Sequence, residues 1–226
     1  MTLPVQDTDV TCALEGLEAD RSSVRLRAAM AVGTMPDPRF VGGLVERCAV
    51  EPDFQVREML TWALTRHSAA QTVPVLLGEL RSARAQARSQ ALHTLSKIGD
   101  RQAWPAITRA LLSDADDEVA RSAWRAAAVL VPHGEEAELA ALLAPQLGRG
   151  GREMQLSLSR ALIELGEVIL PVLRGVKADA APGVRAHALA TERMLHDPEA
   201  GFEFAIEEAK RVVALGTGEG VGAGTC

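Results

Sequence analysis

Apolar and small residues recur along the chain at helical spacing, and the stretches that carry them repeat about every 31 residues. An apolar or small anchor, often followed by Arg, heads each stretch. Small or apolar residues then stand four, seven, eight and eleven positions on. The anchors are Val24, Val56, Ala87, Val119, Met154 and Val184, at spacings of 32, 31, 32, 35 and 30 residues. Those offsets share one face of a helix, so each anchor predicts an amphipathic helix with a buried stripe. At +4 stand Ala28, Leu60, Ala91, Ala123, Leu158 and Ala188. At +8 stand Val32, Leu64, Leu95, Ala127, Leu162 and Glu192, and at +11 Met35, His67, Ile98, Leu130, Leu165 and Leu195. His67 thus reads as an interior histidine. A period of this length means an array of stacked units, each burying its apolar face on its neighbours.

Each predicted helix is preceded by another. Pro38, Pro74, Pro105 and Pro171 mark the first turns of these leading helices, where a missing N–H costs nothing. Gly99 and Gly166 stand at +12, where a left-handed residue ends a helix. Asp100 follows Gly99 as a cap for the next helix, and Asp20, Asp53 and Asp114 or Asp116 precede anchored helices as N-caps. No stretch reads as a strand. The units fall at about 9–35, 37–67, 69–98, 100–131, 135–165 and 167–195. A last helix, about Pro198–Leu215, carries Phe202, Ile206, Ala209 and Val213 on one stripe, as a terminal cap should. The expected organisation is a flexible segment 1–8, a single domain 9–215 and a disordered Gly-rich tail 216–226. Gly148–Gly151 reads as a flexible joint inside the long fourth spacing.

Composition narrows the class. Aromatics make up 3% of residues, with no Tyr, and Ala and Leu dominate the apolar content. That suits close helix packing and not a sheet. Arg greatly outnumbers Lys, as in a GC-rich bacterial source. The net charge of −6 and pI of about 5.4 argue against a general nucleic-acid binder. The N-terminus lacks the features of a signal peptide, and no apolar run is long enough to span a bilayer. The three cysteines form no even framework: Cys12 and Cys48 fall on apolar faces, and Cys226 reads as an incidental end. The expected setting is a reducing cytoplasm.

The pattern Val-Arg-x-x-Ala-x-x-Ala-Leu-Gly, clearest in 24–33 (VRLRAAMAVG) and 87–100 (ARSQALHTLSKIGD), resembles the HEAT repeats. Specifically, it resembles the short HEAT-like repeats of the phycobilisome-lyase type, and the resemblance runs from about 9 to 215. It implies an all-α, right-handed α-solenoid of about six helical hairpins with a C-terminal capping helix. It also implies that the anchored helices line a concave surface. A fold of this kind serves many functions.

On that geometry, offsets +2, +6 and +9 point into the groove. The +6 row reads Met30, Trp62, His93, Arg125, Arg160, Ala190, and the +2 row Leu26, Glu58, Ser89, Arg121, Leu156, Ala186. The candidate partner-binding groove is therefore Glu58, Trp62, Ser89, His93, Arg121, Arg125 and Arg160. Trp and Arg suit binding hot spots, and Arg suits paired contacts to carboxylate or phosphate. Arg25, Arg57, Arg88 and Arg185 at +1 read instead as a structural ladder onto acids of the links.

Signatures of chemistry are lacking: no HExxH, His-Glu pair, GxSxG, P-loop or GxGxxG after a strand. The sequence points to no catalytic residue, metal site or cofactor. The expected function is a non-enzymatic scaffold or adaptor that binds a protein or peptide partner carrying an acidic segment. The alternatives are a nucleic-acid module or HEAT-like DNA glycosylase using the groove arginines on phosphates, and a cofactor-protein lyase or chaperone. The groove rows contain no Asp, which separates the chain from the glycosylase pattern.

Overall fold

The structure, a computed structural model, describes residues 7–176, 180–197 and 201–216. The first six residues, Pro198 and the tail from 217 through Cys226 lie outside the described residues. Among those described there is no strand, and the fold is an all-α solenoid of helical hairpins. The chain divides into two compact units, Met1–Leu130 and Val131–Cys226.

The first unit is built from α1 (Asp7–Leu17), α2 (Ser22–Thr34), α3 (Phe40–Cys48), α4 (Phe54–Arg66), α5 (Ala69–Glu79), α6 (Ala85–Ile98), α7 (Arg109–Leu112) and α8 (Asp117–Leu130). The anchored helices α2, α4, α6 and α8 pack each on the next, while α1, α3, α5 and α7 pack against them from one side. The helix starts follow local chemistry. Asp53 caps α4 by accepting the N–H groups of Gln55 and Val56, and Asp116 caps α8 through those of Glu118 and Val119. Gly99 ends α6 at φ 70°, its N–H on the Leu95 carbonyl. Asp20 caps nothing by its side chain, and α2 starts without a side-chain cap.

Two prolines depart from expectation. Pro74 lies inside α5, past its first turn, and Pro105 lies in a 3₁₀ segment, Arg101–Ala106, that replaces a full leading helix. Asp100 caps that segment through Gln102 N–H. The buried stripe is also wider than the five expected offsets. The +5 residues Ala29, Thr61, Leu92 and Trp124 are buried as well. An anchored helix is covered both by its hairpin partner and by an adjoining anchored helix, so more of its circumference is shielded. Trp124 is fully enclosed and donates its Nε1–H to the Leu112 carbonyl at 2.8 Å. Met35, by contrast, is 49% exposed at the end of α2, and Cys12 is exposed rather than buried.

An arginine ladder ties the hairpins together. Arg25 directs Nε and Nη2 to Glu51 at 2.7 Å each, and Nη1 to the carbonyls of Ala19 and Asp20. Glu51 is fully buried and also accepts from Arg47 Nε and Asp53 N–H, both at 2.9 Å. Burial pushes its carboxyl upward, but the Arg25, Asp53 and Arg47 hydrogen bonds outweigh that and hold it at about 2. Arg88 repeats the pose, with Nε and Nη2 on Asp114 and Nη1 on the Ser82 and Ala83 carbonyls.

The second unit comprises α9 (Glu136–Leu143), α10 (Arg152–Ile163), α11 (Leu170–Arg174), α12 (Pro182–His196) and α13 (Phe202–Gly216). Phe202, Ala205, Ile206, Ala209 and Val213 of α13 pack on Ala186 and Ala190 of α12, so this stripe covers the last hairpin. The segment Gly148–Gly151 is no loose joint. Gly148 N–H donates to His187 Nδ1 at 2.9 Å, and at φ 80° a Cβ there would stand 2.9 Å from Val184 Cγ2.

Candidate functional site

The site builds up from the outward faces of α4, α6 and α8. Trp62 on α4 is 41% exposed. Its ring edge rests on Gly33 of α2, where an added Cβ would come within 2.3 Å of Trp62 Cζ3. The absent side chain is what lets the indole edge approach the neighbouring backbone while the residue stays partly exposed.

Next to this lies a polar chain running across three helices. Arg125 of α8 donates from Nη1 to Nδ1 of His93 on α6, at 3.1 Å. A guanidinium can only donate, so His93 Nδ1 is the acceptor and Nε2 carries the proton. That Nε2 lies 3.4 Å from Oε1 of Glu58 on α4, close enough for electrostatic attraction but outside hydrogen-bond geometry. Burial lowers the His93 pKa, and the charges of Arg125 and Lys97 lower it further against the upward pull of Glu58. His93 is thus neutral at neutral pH and acts as a spacer between an acid and a base. Arg121 pairs within its own helix with Glu118 at 2.9 Å.

Three of the expected groove residues, Glu58, His93 and Arg125, are brought together, while Trp62 stands exposed on α4 and Arg121 pairs with Glu118 on α8. His93 is largely covered, with 13% of its side chain exposed. Ser89 is a correction. It is 6% exposed and its hydroxyl bonds back to the Gln86 carbonyl at 3.1 Å, because α6 is embraced by both α4 and α8. Arg160 is exposed on α10, in the second unit. Ala186 and Ala190, the last members of the same rows, are buried under α13.

The second unit contains a serine–histidine contact. Ser159 Oγ lies 3.0 Å from His187 Nε2, which also faces the Gln155 carbonyl at 3.0 Å. Its other nitrogen accepts from Gly148 N–H, so Nε2 holds the proton. A serine nucleophile needs an unprotonated nitrogen facing its hydroxyl, and here both residues are fully buried. Burial lowers His187 to about 4. With Thr191, whose hydroxyl is 2.8 Å from Ser159, the pair is a structural knot between α10, α12 and the Gly148 segment. Among the described residues no three His, Cys, Asp or Glu side chains gather as a metal site. No helix of theirs is long and apolar enough to cross a membrane.

Comparison with known proteins agrees with the architecture. The model of the HEAT repeats family matches residues 43–128, which span α4, α6 and nearly all of α8. Among solved structures the chain is similar to the complex of CpcE and CpcF of phycocyanin lyase from Nostoc sp. PCC7120. The TM-score is 0.50 at 19% identity, covering 100% of this chain and 92% of that one. At that identity the likeness speaks to the fold alone. No curated protein matches the chain.

Proposed function

Since the chain is a HEAT-repeat protein, we propose that it is a non-enzymatic scaffold that captures a protein partner on the outward faces of its anchored helices. The observation that carries the reading is Trp62, seated on Gly33 and still 41% exposed, beside the Glu58–His93–Arg125 chain. An aromatic anchor held by packing is the kind of residue that dominates a binding hot spot, and arginine is the other. A large apolar residue fixed in one place loses little conformational entropy when a partner covers it.

The partner segment is acidic in this reading, with carboxylates that pair with Arg125 of the first unit. The similar solved structure is a two-protein complex, which fits a chain that works by holding another protein. We place it in a bacterial cytoplasm, on its Arg-rich, Lys-poor usage and unpaired cysteines.

The test is a pull-down from native cells, comparing wild type with Trp62→Ala and with Arg125→Glu. The variants lose the captured protein while melting at the wild-type temperature. Capture at wild-type level by both variants would exclude this face. Retention of nucleic acid that weakens log-linearly with salt would favour the phosphate-binding alternative.

A further inference from the structure

The arginine ladder is incomplete at its middle rung. Arg57 adopts the same pose as Arg25 and Arg88: its Nη1 holds the carbonyls of Glu51 and Pro52, six and five residues back, at 2.9 and 2.8 Å. For Arg25 and Arg88 the remaining edge, Nε with Nη2, meets a carboxylate from the next link. That carboxylate always stands five residues before the next anchor: Glu51 before Val56, and Asp114 before Val119. It also accepts the N–H two residues on, Asp53 N–H on Glu51 and Asp116 N–H on Asp114. Five before the anchor Ala87 stands Ser82. Its hydroxyl accepts the equivalent N–H, that of Arg84, at 3.3 Å, which confirms the register. Serine is neutral and shorter, so Arg57 keeps its charge without a carboxylate.

Beside Arg57 lies a cavity of about 300 Å³, lined also by Ala85, Gln86, Ser89, Gln90 and Asp116. Gln90 lines the same space, and its Oε1, covered in this conformation, has no hydrogen-bond partner, an acceptor that asks for a donor. Asp116 and Glu118 border the same space. Asp116 Oδ1 is occupied as the cap of α8, and Glu118 is paired with Arg121. These acids disfavour a bare anion and favour a ligand that also carries a donor.

We infer that this cavity is a binding socket for a carboxylate group bearing a nearby N–H donor: the carboxylate completes the Arg57 rung and the donor satisfies Gln90. The chemistry is met by a free amino acid or by an Asp or Glu of a bound polypeptide. The socket stands on the register of the ladder and is independent of the exposed Trp62 face.

The test follows the Arg57 Nε–H resonance by NMR. The wild-type protein is titrated with L-glutamate, with acetate, and with a blocked tripeptide whose only carboxylate is a Glu side chain. L-glutamate or the tripeptide shifts Arg57 saturably while Arg25 and Arg88 stay still, and Gln90→Leu weakens that ligand by about tenfold. Response to L-glutamate alone identifies a small-molecule source, and response to the tripeptide alone a polypeptide source. Ser82→Asp supplies the carboxylate internally: it abolishes the titration and raises the melting temperature by roughly 2–4 °C. If Ser82→Asp leaves Arg57 and the melting temperature unchanged, the register is wrong. If it stabilises the fold while no probe shifts wild-type Arg57, the rung is merely missing and the socket is overturned. Acetate matching both other probes overturns the donor requirement.

Discussion

Trp62 lies against Gly33 so closely that a single methyl group on that glycine would meet the indole at 2.3 Å and the Ala63 Cα at 3.0 Å. Alanine is the better helix former at such a position by roughly 1 kcal/mol. Here the overlap, with a typical cost of about 1–3 kcal/mol, outweighs that gain. Gly33→Ala is therefore expected to lower stability and push the indole outward. A red-shifted tryptophan emission, absent from the same substitution made in Trp62→Phe, checks it.

Glu51 couples the first unit to acid. Its folded pKa of about 2 lies below the ordinary 4.5, so its stabilisation is complete above pH 4.5 and fades as pH falls through 2. The full difference is worth about 3 kcal/mol. Replacing Glu51 with Ala strands the buried Arg25 and is expected to cost about 3–5 kcal/mol. Denaturant titrations at pH 7 and pH 3 test both statements: wild type loses stability over that range, and Glu51→Gln flattens that part of the profile.

His187 couples the second unit to a higher window. Its folded pKa of about 4 lies below the ordinary 6.5, so the fold holds it neutral. Stability is intact above pH 6.5 and falls as pH drops from 6.5 toward 4, by up to about 3 kcal/mol. Protonation puts a hydrogen on Nδ1, against Gly148 N–H. Hydrogen exchange at pH 7 and pH 5 is expected to accelerate first at Gly148 and along α12. Unchanged protection there, with loss elsewhere, would point to a different titrating group.

The His93 chain makes opposite predictions for its two ends. Arg125 lowers the histidine pKa and Glu58 raises it. An NMR titration of the His93 ring is expected to move upward in Arg125→Gln and further downward in Glu58→Gln. Shifts of the same sign in both variants would mean the contact is not electrostatic.

Much of this was legible in the residues. The anchors at 24, 56, 87, 119, 154 and 184 open the helices that stack, and Asp53, Asp116, Gly99 and Asp100 sit where local capping chemistry needs them. Row arithmetic also placed Glu58, His93 and Arg125 in rows whose members meet across three helices. It failed where coverage depends on neighbours. Ser89 and Trp124 have unremarkable offsets, yet both are buried because α6 and α8 are enclosed from more than one side. Gly33 was a visible signal, a glycine inside a predicted helix, but its reason lies on α4, some thirty residues away.

The sequence alone determined the period, the helical hairpin and the buried stripe, because these follow from local capping and from the projection of side chains around one helix axis. Only the tertiary structure decided which polar groups found partners. Arg25 reaching Glu51, His93 lying between Glu58 and Arg125, and Arg88 meeting Asp114 are all relations between hairpins. Their physical cause is the packing of one repeat on the next, which brings together groups more than twenty residues apart and shifts pKa values by burial and charge that no single helix carries.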